Sequence, residues 1–261
     1  MLNILIPLAG KPGFFDPQDY PFPKPLIEVG GKPMIQVVTE DIGKITAAKR
    51  FVFIVPMADC QKYHLDSVLR LLTDNNCEII QLREETKGAA CSCLMAIHHI
   101  DTADPLVICN GDQHLDADIE GVMRHFESRR FDAGVICFES IHPKWSYVRM
   151  EGERVLEAAE KRPISKHAIA GFYYFRHGSD FVKSAQNMIK KDWNVNGLYY
   201  IAPTLNELIL ENRTVGMLKI PAENYHSFYS PQKIKEYEQW LASKSRPAAT
   251  PPGEFRSSPA A

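Results

Sequence analysis

One feature limits the possible folds of this chain more than any other. Short, uninterrupted apolar runs alternate with segments whose apolar residues have helical spacing. Strands covered by helices on both faces have this character, because neither face meets water. The runs are Asn3–Pro7, Arg50–Pro56, Glu78–Leu82, Leu106–Cys109 and Ala133–Phe138. The segments with apolar residues three and four positions apart are Met34–Ile45, Asp66–Thr73 and Ala89–His99. The alternation predicts βαβ units and an α/β fold with a mixed, mostly parallel sheet.

The second half of the chain has a different pattern, beginning at about residue 139. Antiparallel strands are predicted at Ser146–Met150, Arg154–Ala158 and Ala168–Phe175. Helices are predicted at Ile119–Ser128, Asp180–Lys190, Ala202–Glu211 and Pro231–Leu241. We interpret residues 1–243 as a single domain, in which residues 139–243 complete a pocket over the sheet of residues 1–138. The tail 244–261 is rich in Pro, Ser and Ala and is predicted to be disordered, because it cannot bury enough apolar surface.

Composition and charge exclude several classes of protein. The 261 residues are 45% hydrophobic, and 30 Lys and Arg against 32 Asp and Glu leave a net charge of −2. This balance gives no general attraction to nucleic acid or to an anionic membrane. No apolar stretch reaches the roughly 18–20 residues that span a bilayer, and the start of the chain lacks a basic secretory region. The 6 cysteines lie mostly in apolar segments, which predicts reduced thiols and a cytoplasmic protein.

Two loops with lysines follow the first predicted strand. Ligands of open parallel sheets bind at the carboxyl ends of strands, which is where the loop Leu8–Gly13 is expected. Its glycines would let backbone N–H groups approach a phosphate, although a simple turn explains them equally well. Further along, Lys24 lies between Pro23 and Pro25. The prolines stiffen the backbone and aim the lysine, although a solvated lysine on a stiff loop is the alternative.

A carboxylate closes the fourth apolar run, where Leu106–Cys109 is followed by Asn110, Gly111 and Asp112. An acid at the carboxyl end of a strand, beside a phosphate loop, is a suitable ligand for Mg²⁺, which binds one or two carboxylates together with substrate phosphates. An Asx turn or a helix cap would also explain Asp112.

Two further segments carry candidate binding residues. Glu160 and Lys161 follow a predicted strand, where the lysine could hold a phosphate and the glutamate could accept sugar hydroxyls. Gly171 would let a ring pass close to the backbone. A solvated hairpin tip is the alternative for the first pair. The small residues of Thr86–Ala90 at the start of a helix suit a planar base, and they equally suit tight helix packing.

Taken in order, these segments resemble the sugar-phosphate nucleotidyltransferase family, the nucleoside-diphosphate-sugar pyrophosphorylases. The matching pieces, over residues 3 to about 210, are LIPLAG, FPKPLIEVGGKPMI, ETKGAA, ICNGDQ, EKRPIS, IAGFYYF and VNGLYYIAPTLNELI. The pieces NGDQ and HPKWSYV are most similar to a subgroup found with bacterial capsule and surface-polysaccharide biosynthesis. The resemblance implies a Rossmann-like three-layer α/β/α fold of the glycosyltransferase-A type. It also implies transfer of a nucleotidyl group from an NTP to a sugar 1-phosphate or similar phosphorylated acceptor, with release of pyrophosphate.

The resemblance assigns roles to particular residues. The nucleotide would be bound in the half formed by residues 1–138, by Leu8, Ala9, Gly10, Lys11, Thr86, Gly88 and Asn110. The catalytic residues would be Lys24, Asp112 and Lys161, with Asp112 as the ligand of the cofactor Mg²⁺. The acceptor would be bound in the half formed by residues 139–243, by Glu160, Lys161 and Gly171. Many members of the family self-associate, so a homo-oligomer is also among the partners that the resemblance implies.

The sequence departs from the family pattern at three places. Phe14 stands where the family loop Gly-x-Gly-x-Arg has its arginine, and Lys11 is the nearest substitute. A lysine lacks the bidentate fork of an arginine, and losing such a contact costs on the order of 10³-fold in phosphoryl transfer. The stretch Tyr225–Pro231 has no carboxylate where many members place a second metal-binding aspartate. Leu198 follows Asn-Gly at a position where members of the subgroup often have an acidic residue.

These departures leave two alternatives to nucleotidyl transfer. The first is a nucleotide-sugar-dependent glycosyltransferase, which would hold a diphosphate through Asp112 or through the Asp116–Asp118 pair. N-capping of the helix Ile119–Ser128 is a simpler explanation of Asp118. The second is a catalytically degenerate homologue that binds a nucleotide or a sugar nucleotide without turnover.

Overall fold

In the computed structural model, which describes residues 1–11 and 13–244, a mixed sheet lies between two layers of helices. The strands are β1 (Leu2–Pro7), β2 (Glu28–Val29), β3 (Lys32–Pro33), β4 (Lys49–Pro56), β5 (Cys77–Leu82), β6 (Leu106–Cys109), β7 (Gln113–Leu115), β8 (Ala133–Glu139), β9 (Ser146–Glu151), β10 (Arg154–Glu160), β11 (His167–Phe175), β12 (Val215–Lys219) and β13 (Tyr225–Ser227). The α-helices are α1 (Met34–Gly43), α2 (Met57–Tyr63), α3 (Leu65–Leu72), α4 (Ala89–Leu94), α5 (Ile97–Ile100), α6 (Ile119–Ser128), α7 (Gly178–Lys190), α8 (Thr204–Leu210) and α9 (Pro231–Lys244). Short 3-10 helices form at Lys24–Leu26 and Ala222–Asn224.

Nine of these strands in the described part of the chain form the main sheet, in the order β10-β9-β11-β6-β1-β4-β5. β8 pairs with β11 and carries β12 on its other side. The neighbours β6, β1, β4 and β5 run parallel, whereas β11 is antiparallel to both β6 and β8. The predicted α/β fold with a mixed, mostly parallel sheet is therefore confirmed, and strands from both halves of the chain join one sheet.

The core explains why the apolar runs are continuous. β1 lies at the centre of the parallel strands, and Ile4, Leu5 and Ile6 are completely buried. Ile4 and Ile6 pack in a cluster with α1, α3 and α6, whereas Leu5 packs in a second cluster with α4, α5, α7 and α8. Alternate side chains of a strand point to opposite faces, so the two clusters are the two interfaces of a three-layer fold. A third cluster joins α1 and α9 to the loop after β1, through Phe15, Met34, Phe228 and Tyr237.

The predicted helices and strands agree with the observed ones to within a few residues, apart from one interruption. The helix predicted at Ala89–His99 is divided into α4 and α5. The N–H groups of Met95 and Ala96 bond to carbonyls three residues earlier, which tightens and ends α4. The sequence does not predict α2, β12 or the two pairs of short strands, β2 with β3 and β7 with β13. The predicted tail 244–261 lies outside the described residues except for Lys244, which ends α9.

A bend in β11 shapes the end of β6. The register of β11 against β8 shifts between Ile169 and Tyr173, and Gly171 has φ of +58° at this point. Its carbonyl accepts hydrogen bonds from the backbone N–H of Asn110 (2.9 Å) and from the side chain of Gln113 (3.1 Å). The bend therefore holds both ends of the segment that contains Asp112. No helix among the described residues is long and apolar enough to cross a membrane.

Candidate active site

A cavity of about 420 Å³ opens at the carboxyl ends of β1 and β6. It lies where ligands of open α/β sheets bind. Its lining includes all the residues that the family resemblance assigned to the nucleotide, together with Lys24 and Asp112: Leu8, Ala9, Gly10, Lys11, Thr86, Gly88 and Asn110. Residues from four separate segments of the sequence therefore meet around one space.

Lys24 and Asp112 form an ion pair at the edge of this cavity. The distance from Lys24 Nζ to Asp112 Oδ2 is 2.5 Å, and the two side chains are 19% and 28% exposed. The short 3-10 helix that begins at Lys24 follows Pro23 and contains the buried Pro25. The ammonium also lies 5.8 Å from the centre of the Phe15 ring. The stiff loop thus directs the lysine to the carboxylate that closes β6.

The stretch that lacks the second carboxylate lies beside Asp112. The carbonyl of Asp112 accepts a hydrogen bond of 2.7 Å from the N–H of Phe228, and β13 pairs with β7 so that Ser227 is opposite Gln113. Burial and the charge of Asp112 hold the pKa of the Tyr225 hydroxyl well above its ordinary value. Tyrosine and phenylalanine therefore occupy the surroundings of Asp112 on this side.

The donor set fits Mg²⁺ only in company with a phosphate. The described residues contain no group of three His, Cys, Asp or Glu that could hold a metal ion. Asp112 supplies a single carboxylate, and the Lys24 ammonium neutralises it. Mg²⁺ usually keeps several waters and takes one or two carboxylates plus substrate phosphates, so Asp112 would hold it together with a bound polyphosphate.

The segment at the start of α4 combines the two interpretations that the sequence left open. Gly88 has φ of +109°, and a Cβ added there would lie 2.4 Å from the carbonyl oxygen of Tyr199. The N–H of Ala90 donates to the same carbonyl at 3.0 Å. The Thr86 hydroxyl lies 2.7 Å from that of Ser92 and donates to the Gly88 carbonyl at 3.0 Å. Tight packing accounts for the glycine, and Thr86 and Gly88 also line the cavity.

Phe14, which the resemblance aligns with the family arginine, lies outside the lining of the cavity. The Phe14 side chain is 72% exposed. Its ring contacts the Tyr229 ring edge-on, with 5.8 Å between the ring centres. Lys11 lines the cavity and forms an exposed ion pair of 3.3 Å with Glu85. Among the described lining residues, Lys11 and Lys24 carry the positive charge.

The residues assigned to the acceptor lie outside this lining. The Ser146 hydroxyl donates to the Glu160 carboxylate. Burial raises the pKa of Glu160, against the opposing effects of that hydrogen bond and of the Lys161 charge. Lys161, with φ of +52°, donates from Nζ to the Tyr200 hydroxyl at 2.6 Å. Tyr200 directly follows Tyr199, whose backbone packs against Gly88. These two adjacent tyrosines therefore connect Lys161, assigned to the acceptor, with Gly88, which lines the cavity.

Gly171 is required by packing. A Cβ at this position would lie 2.3 Å from Asn110 Nδ2 and 2.4 Å from Gln113 Oε1. These two side chains fill the space into which the Cβ would point, and the positive φ favours glycine as well. The predicted contact of Gly171 with a sugar stays a prediction.

The Asp-x-Asp sequence has structural partners. Asp118 accepts a hydrogen bond of 2.9 Å from the N–H of Gly121, which confirms it as the N-cap of α6. Asp116 forms an ion pair of 2.5 Å with Lys244 at the end of α9. Neither residue lines the cavity, so this pair is not placed to hold a diphosphate there.

The sequence reading missed Ser146, Tyr199 and Tyr200. Ser146 begins β9 and bonds to Glu160 across the strand pair, and the two tyrosines follow the turn at Gly197. The two antiparallel strands predicted at Ser146–Met150 and Arg154–Ala158 could have indicated that β9 pairs with β10. Nothing local indicates that the tyrosines reach Gly88 and Lys161.

Comparisons with known proteins agree with this architecture. The profile of the nucleotidyl transferase family matches residues 18–208. A UTP–glucose-1-phosphate uridylyltransferase of Haloferax volcanii is 24% identical over 257 residues, covering 95% of this chain and 99% of the relative. The crystal structure of a nucleoside-diphosphate-sugar pyrophosphorylase from Vibrio cholerae superposes with a TM-score of 0.76 at 22% identity, covering 90% of this chain and 99% of that one. The crystal structure of a UDP-glucose pyrophosphorylase complexed with UDP-glucose superposes with a TM-score of 0.72 at 16% identity, covering 94% of this chain and 99% of that one. These structures share the fold.

Proposed function

Because the chain belongs to the nucleotidyl transferase family, we propose that it transfers a nucleotidyl group from an NTP to a sugar 1-phosphate or a similar phosphorylated acceptor. The observation that carries this proposal is the pairing of Lys24 with Asp112 inside the cavity lined by Leu8–Lys11 and Gly88. The relative from Haloferax volcanii, a uridylyltransferase of glucose 1-phosphate, supports a sugar phosphate as the acceptor.

The reaction requires positioning and charge neutralisation more than proton transfer. An oxygen of the acceptor phosphate attacks the α-phosphorus of the NTP, a new P–O bond forms, and the bond to the β-phosphate breaks as pyrophosphate leaves with the electron pair. The attacking oxygen is already anionic, so no general base is needed. The protein contributes by holding both phosphates in line and by balancing their charge.

Lys24 and Asp112 exchange partners in this scheme. When the NTP enters, the Lys24 ammonium turns from the carboxylate to the phosphates, and Lys11 balances further charge at the cavity mouth. Asp112 is then the residue that would hold Mg²⁺, which supplies further neutralisation of the polyphosphate when it is bound.

Lys161 and Glu160 would bind the acceptor. Among the described residues, the Lys161 ammonium donates to the Tyr200 hydroxyl, lies 4.6 Å from the centre of that ring and forms no salt bridge. It can therefore turn to an acceptor phosphate without breaking a salt bridge. The Glu160 carboxylate, held by Ser146, would accept hydrogen bonds from sugar hydroxyls.

We assign the reaction to bacterial surface-polysaccharide biosynthesis in the cytoplasm. The motifs NGDQ and HPKWSYV support the pathway, and the six free cysteines support a reducing compartment. Five of the six are buried in the two main core clusters, as expected for thiols that fill space.

One observation favours a second candidate, a homologue that binds nucleotides without turnover. The position aligned with the arginine is occupied by Phe14, which contacts Tyr229 outside the cavity lining, and the described residues contain no group of three His, Cys, Asp or Glu that could hold a metal ion. Such a protein would bind an NTP or a sugar nucleotide tightly and release no pyrophosphate.

The test is a matrix of NTPs and phosphorylated acceptors with Mg²⁺ or Mn²⁺, with pyrophosphate release as the readout. Release that depends on both substrates and disappears in Asp112→Asn supports the proposal. Tight nucleotide binding with no release across the matrix would favour the non-catalytic candidate. Release of a nucleoside diphosphate would indicate a glycosyltransferase.

A further inference from the structure

The residues of the motif HPKWSYV form a closed turn that leads into β9. The N–H of Trp145 donates to the His142 carbonyl at 3.3 Å, and the N–H of Lys144 donates to His142 Nδ1 at 3.2 Å. The hydroxyl of Tyr147, whose side chain is completely buried, donates to the same carbonyl at 2.6 Å. These bonds fix residues 142–147 to one another, and we call them the 142–147 turn.

The 142–147 turn supports Lys161 and Glu160, which are assigned to the acceptor. The Trp145 carbonyl accepts a hydrogen bond of 3.0 Å from the N–H of Lys161. Lys161 has φ of +52°, a left-handed conformation that is uncommon for residues other than glycine and persists where the surroundings hold it. The next residue of the turn, Ser146, donates from its hydroxyl to the Glu160 carboxylate. Two consecutive residues of the turn therefore hold two consecutive residues of the proposed acceptor site.

The Trp145 ring joins the turn to the surroundings of Asp112. Its centre lies 5.5 Å from that of Phe138 and 5.6 Å from that of Tyr225, and both contacts are edge-on. The Tyr225 hydroxyl lies 3.5 Å from Oε1 of Gln113, the residue that follows Asp112. Trp145 is thus connected, through one further ring, to the segment that carries the proposed metal ligand.

Lys144 holds the turn from a second side. Its ammonium lies 3.7 Å from the centre of the Tyr229 ring and 4.4 Å from that of the Trp145 ring. A cation over an aromatic ring is attracted by the negative charge of the ring face. Tyr229 directly follows Phe228, whose N–H bonds to the Asp112 carbonyl. The lysine therefore links the turn to the same side of Asp112 as the Trp145 ring does.

The placement of these two regions relative to each other decides whether in-line attack is possible. The acceptor phosphate, held by Lys161, has to face the α-phosphate of a nucleotide bound beside Asp112. Misplacing a reacting group by about 1 Å can slow a reaction by about 10²-fold. None of residues 142–147 lines the nucleotide cavity, so the turn can affect this geometry without contacting the nucleotide.

We propose that Trp145 is a positioning residue, which places Lys161 and Glu160 relative to Asp112. The role rests on the nucleotidyl transfer proposed above. The Trp145 carbonyl holds the backbone of Lys161, the neighbouring Ser146 holds Glu160, and the ring fixes this unit against Tyr225.

Steady-state kinetics of full-length variants test this role, with pyrophosphate release as the readout. Trp145→Leu removes the ring contacts and should lower kcat/KM for the sugar 1-phosphate by at least about tenfold, while the Kd for the NTP changes by less than about twofold. Trp145→Phe keeps an aromatic ring and should recover most of the loss. The control Trp193→Leu replaces a tryptophan that is 45% exposed and should leave the kinetics unchanged.

Two kinetic results would overturn the proposal. The first is unchanged kinetics in Trp145→Leu, and the second is an equal loss for both substrates that Trp145→Phe does not recover, which indicates a general structural defect. If Trp145→Leu does not fold, Lys144→Met decides, because it removes the charge over two rings and leaves the Trp145 ring in place. Its kinetics should change in the same direction by a smaller factor, and wild-type kinetics would then overturn the proposal.

Hydrogen exchange distinguishes failure of this proposal from failure of the proposed function, because it needs no turnover. In the free protein, the N–H of Lys161 should exchange at least about tenfold faster in Trp145→Leu than in the wild type or Trp193→Leu, since its bond to the Trp145 carbonyl is loosened. If the wild type releases no pyrophosphate and the exchange rises as expected, the proposed function fails and the positioning contact stands. Equal exchange at Lys161 in all three proteins would overturn the positioning role, whatever the activity.

Discussion

Replacing Lys24 with methionine should destabilise the free protein and at the same time make its Asp112 accessible to metal. The two side chains are 19% and 28% exposed and their charged atoms lie 2.5 Å apart. Charge-assisted hydrogen bonds contribute about 1.5–3 kcal/mol, and breaking a fully buried pair costs about 3–5 kcal/mol. For this partly buried pair we expect Lys24→Met to lower the free energy of unfolding by about 1–3 kcal/mol, and the melting temperature by roughly 2–4 °C for each kcal/mol.

The assay is a double-mutant cycle of Lys24→Met and Asp112→Asn, measured by urea unfolding. We expect a coupling energy of about 1–2 kcal/mol between the two positions. The matched control is the pair Lys11 and Glu85, whose side chains are 77% and 68% exposed at 3.3 Å. Exposed pairs of this kind contribute about 0.2–1 kcal/mol, so its coupling should be clearly smaller.

Metal binding gives an independent readout of the same pair. In the wild-type protein without nucleotide, the Lys24 ammonium competes for the carboxylate, so Mg²⁺ should leave the melting temperature unchanged. In Lys24→Met, Asp112 is unpaired and Mg²⁺ should raise the melting temperature. The reasoning is refuted if the cycle shows no coupling, or if the wild type and Lys24→Met respond equally to Mg²⁺.

Three further predictions follow from individual contacts. If an arginine at position 14 reaches the phosphates, as the family resemblance implies, Phe14→Arg should raise kcat/KM for nucleotidyl transfer by at least about tenfold. Stability should not fall, because the Phe14 side chain is exposed, and unchanged kinetics would contradict the resemblance at this loop. Gly88→Ala should lower the free energy of unfolding by about 1–3 kcal/mol, because its Cβ would lie 2.4 Å from the Tyr199 carbonyl oxygen at a φ of +109°. The control Gly43→Ala adds a Cβ in open space and should not lower it. Equal effects of the two variants in urea unfolding would contradict the packing argument. Burial raises the folded-state pKa of Glu160 above its ordinary value of 4.5, so the folded state holds the proton more strongly than the unfolded state. The contribution of Glu160 to stability therefore falls as the pH rises from 4.5 through the folded-state pKa. Glu160→Gln should therefore gain stability relative to the wild type as the pH rises from acidic to neutral, and a pH-independent difference would contradict the shift.

The parts of the fold that the sequence predicts are those with a local physical signal. Leu106–Cys109 was predicted with the bounds that the structure has, because a strand buried on both faces is apolar at every position. Asp112 and Lys24 were found because a polar residue at a strand end and a lysine between two prolines are local patterns. The structure brings both to one cavity.

The parts that could not be predicted depend on residues far apart in the sequence. The pairing of β13 with β7, which places Phe228 against Asp112, joins two three-residue strands too short to carry a periodic pattern. The contact of Tyr199 with Gly88 is likewise a backbone contact between distant segments. Gly171 was assigned to a ligand, whereas its neighbours Asn110 and Gln113 already require a glycine there. Residue type alone does not distinguish space for a ligand from space for another part of the chain.

The fate of the α-phosphate tests nucleotidyl transfer most directly. An NTP labelled at the α-phosphorus is incubated with a sugar 1-phosphate, Mg²⁺ and either the wild-type protein or Asp112→Asn, and the products are separated. The account predicts that the wild type moves the label into a nucleoside-diphosphate sugar while unlabelled pyrophosphate accumulates, and that Asp112→Asn does neither. Label that stays in the NTP with every sugar phosphate tried, or that appears only in a free nucleoside diphosphate, would contradict it.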